Sequence, residues 1–473
     1  MLYNKLKLLK SIKKTIFLTQ IFNFLEVFMN KVEQLIVNNK LINANETVAV
    51  ACSGGQDSMC LLNILMHLKN KLKFNLVAIN VDHSLRKNSA SDSMFVKNYC
   101  EKNNIKLYSY VLDINKLCAN KKLGLEQGAR EGRYAVFNKL LDDGVVDKIA
   151  LGHHMQDQAE TILLNIFRGA GVAGACGMEL NRDGKYIRPL LYTAKTEIQA
   201  YVEANDIPYV EDETNLQNDY SRNYIRNMIM PLIRNRWQNA DSTICEFGKL
   251  CKQDNDYINS LISKNAIVKE SENTVKAYSS YFTNNLSLTS RLIFKALKQI
   301  GASVDIERKH LKLVCDLAVN GENGAKINLP NGVVVIKEYG FITFTNKKLK
   351  TSIKPLKLKR GKFNIPGVGV LEVYISNNID FSAYQNVFDA KKVDKNAVWR
   401  FRQNGDEFEK YGGGTKSLNE FFIDRKVPAR FRDVLPVLAV GNEILVVAGV
   451  EISDKVKVDK TTTQIYGVNF ITF

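Results

Sequence analysis

Six residues, Ser53-Gly54-Gly55-Gln56-Asp57-Ser58, join an apolar run, TVAVAC (47–52), to an amphipathic one, DSMCLLNILMHL (57–68). A strand that passes into a helix through two glycines leaves backbone N–H groups bare at the helix start, where the helix dipole favours an anion. The Ser53 and Ser58 hydroxyls add donors. The combination reads as a cradle for phosphate, without the lysine that a Walker loop carries. A plain turn capped by Asp57 or Ser58 would explain one of those residues but not the hexapeptide as a whole.

The pattern around this loop sets the fold class. Apolar and amphipathic runs alternate through FNLVAINVD (74–82), a helix-like 93–103, IKLYSYVLD (105–113), EQGAREGRYAVFNKLLDDG (126–144), DKIALGHH (147–154) and DQAETILLNIFRG (157–169). Strands alternating with helices build a parallel sheet, so an α/β domain is expected over residues 29–235. Ahead of it, residues 1–28 run from basic to apolar, broken by Gln20, Asn23 and Glu26 and lacking a small-residue cleavage site. They read as an upstream extension or a loosely attached amphipathic helix, with Met29 as a second plausible start.

Residues 236–346 are expected to be helix-rich: Leu292, Ile293, Ala296, Leu297 and Ile300 share one helical face. Short strands close this part around 326–344, turned at Pro330-Asn331-Gly332. Segment 347–362 is basic, free of acids, and reads as a linker that is either solvated or in contact with a polyanion. Residues 363–473 hold short apolar strands (VWRF, LPVLAV, EILVVAGV) and a helical KSLNEFFIDR (416–425), the pattern of a small α+β domain.

A chain of 473 residues is too long for one ordinary core. Lys plus Arg number 66 against 49 Asp plus Glu, a net charge of +17. That balance suits a phosphate-bearing partner, and it equally suits a lysine-rich coding bias on solvated faces. The eight cysteines show neither C-x-x-C nor zinc-site spacing and read as reduced thiols in a cytoplasm. No run reaches the about 18 uncharged apolar residues of a membrane span, so no membrane partner is expected.

The hexapeptide is similar to the signature of the PP-loop, or N-type ATP pyrophosphatase, superfamily. Further motifs follow in order: Val81-Asp82-His83-Ser84-Leu85-Arg86; Glu126 with Ala129-Arg130 and Arg133-Tyr134; and Gly152-His153-His154 before Asp157-Gln158-Ala159-Glu160-Thr161. Then come Arg188-Pro189-Leu190 and Glu211-Asp212-Glu213-Thr214-Asn215, continuing to Ser221-Arg222-Asn223-Tyr224-Ile225-Arg226. With these motifs, most of the chain resembles the tRNA(Ile)-lysidine synthases.

The resemblance implies a ligase that joins L-lysine to C2 of the cytidine at the first anticodon position (C34) of tRNA(Ile) with a CAU anticodon. ATP adenylates the cytidine and releases pyrophosphate; lysine then displaces AMP. ATP and Mg²⁺ are the implied cofactors, and there is room for a homodimer. By the same resemblance Ser53, Gly54, Gly55, Gln56, Asp57, Ser58, Asp82 and His83 bind ATP, and Asp57 is also the candidate Mg²⁺ ligand. Asp157 and Glu160 hold the substrate lysine and form the catalytic set with Asp57.

The i, i+3 spacing of Asp157 and Glu160 places both carboxylates on one helix face. The competing reading is a plain N-cap at Asp157 with a capping-box spacing to Glu160. Arg130, Arg133, Arg222, Asn223 and Arg226 are the candidates for ATP or RNA phosphates, since guanidinium forks match phosphate oxygens. In the last domain Arg400, Arg402, Arg430 and Arg432 are candidates for tRNA contact, whereas Phe401, Phe421, Phe422 and Phe431 read mostly as core. Of His153 and His154, one is expected to be structural, and order alone does not say which. The family usually carries an acid where this chain has Gln156.

Three rivals remain. A PP-loop tRNA thiolase would need a reactive cysteine pair, for which only Cys100 and Cys176 stand as candidates. A non-catalytic tRNA-binding protein would need neither the intact loop nor the Asp157 and Glu160 pair. A free-amino-acid activating enzyme would not need the basic C-terminal half.

Overall fold

The computed structural model describes residues 23–83, 89–121, 124–211, 221–346, 353–366, 368–378 and 380–472. The chain divides into two units, Met1–Asp256 and Tyr257–Phe473.

The first unit opens on a helix, α1 (23–38). It continues with β1 (Thr47–Ala51), α2 (Gln56–Leu72), β2 (Asn75–Asp82), α3 (Ser89–Lys102), β3 (Lys106–Val111), α4 (Ile114–Lys121), α5 (Leu125–Asp142), β4 (Lys148–Ala150) and α6 (Met155–Phe167). A short helix α7 (Val172–Ala175), the hairpin strands β5 (Asn181–Arg182) and β6 (Tyr186–Ile187), and α8 (Lys195–Ala204) follow. The sheet runs β3-β2-β1-β4-β6-β5, parallel throughout except for β5. Val48, Ala49 and Val50 of β1 are fully buried, as a central strand covered on both faces requires.

Chain order reverses between β1 and β4. At such a switch point the connecting loops diverge and leave a crevice at the carboxyl ends of the two strands, where open α/β sheets bind ligands. The loops that flank this crevice are the hexapeptide after β1 and Gly152-His153-His154 after β4.

The expected boundary at Met29 is corrected by α1. Phe28 is 2% exposed and its ring lies 4.8 Å from that of Tyr201 on α8, with Val32 and Ile36 buried beside it. Residues 23–28 therefore belong to the first core rather than to a loose extension. Its apolar residues recur at helical spacing (Phe24, Phe28, Val32), and that stripe is what the core takes up.

Beyond residues 212–220, α9 (Ser221–Tyr224) passes through a π-helical turn (Ile225–Ile229) into α10 (Met230–Arg236), and α11 (Ala240–Ser260) follows. The Met230 N–H reaches back five residues to the Ile225 carbonyl, and Pro231, which has no N–H to give, comes next. Ile225, Met230 and Cys245 pack on Ala159 of α6, so this segment docks against the helix that starts at the crevice.

The second unit holds a five-stranded antiparallel sheet, order β7-β8-β11-β10-β9, built from β7 (Ile267–Ser271), β8 (Thr274–Tyr278), β9 (Lys326–Asn328), β10 (Val334–Glu338) and β11 (Phe341–Thr345). The helices α12 (Leu286–Gln299) and α13 (Arg308–Asn320) share its core. The strands over 326–345 match the expectation, whereas β7 and β8 were hidden: β7 is an edge strand, mostly exposed, and carries no apolar run.

Two further sheets follow. One includes β12 (Leu356–Lys357) paired to β16 (Val398–Arg400); the other runs β13-β14-β17-β15, from β13 (Gly361–Ile365), β14 (Gly369–Ser376), β15 (Asn386–Asp389) and β17 (Ile465–Thr472). The basic segment 347–362 is thus not wholly a linker. Its first residues, 347–352, lie outside the described residues, but Leu356, Lys357, Gly361 and Lys362 are strand residues. Trp399, Phe408, Phe421 and Phe422 form the centre of this C-terminal core. No helix among the described residues is long and apolar enough to cross a membrane.

Candidate active site

Gly54 sits at φ +86°, a backbone conformation that side-chain-bearing residues rarely adopt. Gly55 is the N-cap of α2, and among the described residues no side chain caps this helix. The Ser58 hydroxyl turns back to the Gly55 carbonyl (2.8 Å) and the Ser53 hydroxyl lies 3.5 Å from it. The plain-cap reading of Asp57 or Ser58 therefore fails, and the first-turn N–H groups of α2 are left uncapped by any described side chain, as an anion site would need. On the far side, the Val210 N–H donates to the Gly54 carbonyl (2.9 Å) and fixes the loop.

Gly152 serves a close approach: a Cβ there would stand 3.2 Å from the Asp57 carbonyl carbon and oxygen. Without one, the β4 loop reaches the start of α2. His154 Nε2 then comes 3.7 Å from Asp57 Oδ2 and 3.5 Å from Asp157 Oδ2, joining the phosphate loop to the acid pair. Its Nδ1 is buried and has no hydrogen-bond partner among the described residues.

His154 is the N-cap of α6, and its backbone N–H donates to Asp157 Oδ2 (3.1 Å). Asp157 thus does take part in capping, though as the third helical residue rather than as the cap. Its other oxygen, Oδ1, accepts from Arg226 (2.7 Å) and Arg222 (3.1 Å). Glu160, 1% exposed, accepts two bonds from Arg226 (2.9 and 2.8 Å) and a longer one from Arg222 (3.5 Å). Burial alone would raise the Asp157 carboxyl, but His154, Arg222, His153 and Arg226 outweigh it and hold it well below the usual carboxylate range. Burial likewise works against the Arg226 charge, and the bonds and charge of Glu160, with Asp157, push its pKa above the ordinary arginine value.

This cluster brings the two sets of candidates together. Arg222 and Arg226 face carboxylates rather than standing free for phosphate, and Asp157 and Glu160 are already engaged by two guanidiniums. The four side chains make one neutral network at the start of α6.

The two histidines now separate. Arg188 Nε donates to His153 Nδ1 (3.2 Å), and since arginine only donates, a neutral His153 carries its proton on Nε2. Burial is the main reason its pKa falls to about 3, with the Arg188, Arg222 and Arg130 charges adding to it against Asp157. His153 is the anchored, neutral ring; His154 spans loop and acids.

Sequence reasoning passed over Lys195. Its Nζ donates to Asp57 Oδ1 at 2.5 Å, and its backbone N–H, at the start of α8, donates to Gln156 Oε1 at 2.9 Å. Gln156, noted only as a missing acid, holds the start of that helix. In a lysine-rich chain no local pattern marks Lys195; the only hint is its position just after Arg188-Pro189-Leu190.

Other candidates are placed as follows. Asp82 ends β2, the strand beside β1, and His83 follows it. Arg130 lies over the Tyr134 ring (5.0 Å), which Arg182 also approaches (4.9 Å). Arg133 is half-buried, and burial, with Arg130 and Arg222 nearby, lowers its pKa. Asn223 lies in α9. Ser84, Leu85, Arg86, Asp212, Glu213, Thr214, Asn215 and the Glu126 side chain lie outside the described residues.

The C-terminal arginines differ among themselves. Arg400 is 6% exposed and forks onto Asp406, so it is not open to a tRNA. Arg430 binds Glu338 (2.9 Å) and Glu270 (2.7 Å), and Arg432 donates to the Val427 carbonyl (2.9 Å). Arg402 is partly exposed and pairs with Asp433, itself more than half exposed. Phe401, Phe421 and Phe422 are core residues; Phe431 is partly buried beneath the Arg430 guanidinium (4.3 Å). All eight cysteines are free thiols, with Cys100 buried.

Residues 25–233 match the PP-loop domain, and residues 397–467 match the TilS substrate C-terminal domain. Curated relatives align along nearly the whole chain. A tRNA(Ile)-lysidine synthase of Clostridium acetobutylicum is 34% identical over 452 residues, 92% of this chain and 98% of that protein. Those of Clostridium tetani and Clostridium perfringens are 33% and 34% identical, covering 90% and 93% of this chain and 94% and 98% of theirs.

Proposed function

Because the chain belongs to the tRNA(Ile)-lysidine synthase family, we propose that it is an ATP-dependent ligase that forms lysidine at C34 of the CAU anticodon in tRNA(Ile). The observation that carries this reading is the meeting, in one crevice, of an uncapped phosphate loop and a buried acid pair, joined through His154.

The chemistry has two displacements. In the first, the C2 carbonyl oxygen of the cytidine attacks the α-phosphorus of ATP, forming an O–P bond as the bond to pyrophosphate breaks. The bare N–H groups of residues 56–58 and the Ser53 hydroxyl are placed to hold the phosphate chain and take up the charge that collects on the leaving group. In the second, the ε-amine of lysine forms a bond to C2 and AMP departs with the former carbonyl oxygen. The amine must shed a proton before it attacks.

Among the described residues no cluster of three or more His, Cys, Asp or Glu is set to cage a metal. Mg²⁺ needs no such cage, since it favours one or two carboxylates together with substrate phosphates and water. The part-exposed Asp57 carboxylate beside the loop fits that donor set. Mg²⁺ held there would offset phosphate charge.

Asp157 and Glu160 receive lysine in this reading, with Arg222 and Arg226 as exchangeable partners. As the arginines give way, the two carboxylates hold the ε-ammonium in its charged form until it sheds the proton that the attack requires. The lysine carboxylate finds its counter-charge in the same guanidiniums.

The test is incubation of the purified protein with ATP, Mg²⁺, labelled L-lysine and a tRNA(Ile) transcript bearing CAU. Label at the first anticodon base is expected. ATP cleaved to AMP and pyrophosphate with no label in RNA would remove lysine and leave only the PP-loop chemistry.

A further inference from the structure

We propose that Lys195 supplies the cation that the phosphate loop lacks: its ammonium leaves Asp57 for the phosphate chain when ATP binds, and Gln156 positions it. This rests on the reading of the crevice as an ATP site and adds to it a residue from a distant helix.

Three observations lead there. The loop itself contains no Lys or Arg, yet the group that leaves in the first displacement is pyrophosphate, a multiply charged anion. Three described guanidiniums are engaged elsewhere: Arg222 and Arg226 on the acid pair, Arg188 on His153 and the Glu179 carbonyl. Among the described residues, Lys195 Nζ lies on the loop, in direct contact with Asp57 Oδ1, and its side chain is 36% exposed.

The pairing is also one that substrate can exchange. Asp57 and Lys195 neutralise each other while the site is empty. If a divalent cation takes Asp57 and phosphate takes Lys195, each of the four charges keeps a partner, so nothing is left buried and unpaired. A lysine suits this, because its four-carbon stem lets a point charge swing without moving the backbone. The ammonium keeps its proton throughout; it stabilises the departing oxygens and forms no bond.

Gln156 anchors the stem. Its Oε1 accepts the Lys195 N–H, while the preceding N–H, that of Ala194, is taken by Glu197 (2.7 Å). The start of α8 is therefore fixed against α6, and Nζ is launched from a defined point. A neutral amide does this without adding a further negative charge beside the phosphates.

The experiment uses the full chain with Lys195→Gln, Lys195→Arg and Gln156→Ala, and titrates inorganic pyrophosphate and, separately, AMP into each by calorimetry beside tRNA-dependent turnover. Lys195→Gln removes the charge and leaves a neutral amide donor on a stem one atom shorter. It is expected to weaken pyrophosphate binding at least about tenfold with AMP binding unchanged, and to cut kcat about 10²–10³-fold, the usual loss for one oxyanion-stabilising donor. Lys195→Arg should recover most of both. Gln156→Ala should raise the KM for ATP more than it lowers kcat, since it loosens the launch point and keeps the charge.

Equal losses for AMP and pyrophosphate, or unchanged pyrophosphate binding in Lys195→Gln, would reduce Lys195 to a structural partner of Asp57 and overturn the proposal alone. A parent protein that binds neither ATP nor pyrophosphate would instead overturn the ATP-site reading on which the proposal stands.

Discussion

Each unit contains a network of arginines and carboxylates, and the two are built differently. In the second unit Arg400 gives NH1 to Asp406 Oδ2 (2.8 Å) and to the Phe401 carbonyl (2.9 Å), and NH2 to Asp406 Oδ1 (2.7 Å) and the Gly441 carbonyl (2.7 Å). Asp406 also accepts the Gln403 N–H (2.7 Å). Both members are buried and their bonding capacity is nearly filled, so no ligand can enter without breaking the structure. In the first unit the acids are buried, but the Arg222 and Arg226 side chains stay 26% and 32% exposed, and His154 Nδ1 beside them lacks a hydrogen-bond partner among the described residues. A filled, closed network braces a fold. One whose anions are fixed inside and whose cations reach solvent can exchange those cations for a substrate's charges.

Glu160→Gln gives the sharpest test of that contrast. Removing one partner of a buried charge pair that a ligand engages costs about 2–5 kcal/mol of binding, equivalent to roughly 30-fold or more. The loss should fall on lysine incorporation, read as kcat/KM for lysine, while ATP binding measured by calorimetry stays as in the parent. If ATP binding collapses with it, the cluster is a brace like that of Arg400.

Arg400→Met should show the reverse, with about 3–5 kcal/mol lost from the stability of the C-terminal core because Asp406 is left buried and unpaired. The buried Trp399 next to it reports this core by fluorescence in urea. An unchanged unfolding midpoint would mean that the closed network contributes no stability.

His153 places a pH dependence on the same comparison. Its pKa falls from an unfolded value near 6.5 to about 3, so between those values the unfolded chain binds a proton that the folded one does not. Stability from this group is full above about 6.5 and is lost as pH falls toward 3, with a slope of up to about 1.4 kcal/mol per pH unit. Asp157, held well below the usual range, adds its own loss only below about pH 4. Urea midpoints at pH 7 and 5 should therefore converge in His153→Asn. A parent protein equally stable at both would show that His153 is not buried neutral.

The parts legible in sequence were those governed by short-range pattern. β1, α2, β2 and β4 follow from apolar runs and periodicity, and the loop from two glycines at a strand-to-helix junction. The adjacency of Asp157 and Glu160 follows from helical spacing. What pattern does not encode is pairing at a distance. Lys195 meets Asp57 across 138 residues and Arg226 meets Glu160 across 66, so the partners that neutralise the acids had no local mark. Gln156 looked like a loss because its role is set by the start of α8, which shares no period with α6. The strand β7 escaped because an edge strand need not be apolar. Phe28 was assigned to an extension because the basic residues ahead of it resemble a leader, whereas its spacing to Val32 and Ile36 was already that of a buried helical face.

Arg400 and Arg402 bring the comparison down to two residues of one type, separated by Phe401. Nothing in RFR distinguishes them; the structure does so by depth, for Arg400 ends β16 inside the core and Arg402 stands at its rim with Asp433. The Arg402 pair is solvated and should contribute no more than about 1 kcal/mol to stability, so Arg402→Ala should leave the Trp399 unfolding midpoint nearly unmoved. If Arg402 instead faces an RNA phosphate in the complex, that substitution lowers tRNA affinity and reduces the slope of log affinity against log salt by about 1. Arg400→Met, with no guanidinium at the surface to lose, should leave that slope unchanged wherever the protein remains folded. A salt slope insensitive to Arg402→Ala would remove this arginine from the RNA face and leave the basic charge of the C-terminal rim as solvated surface.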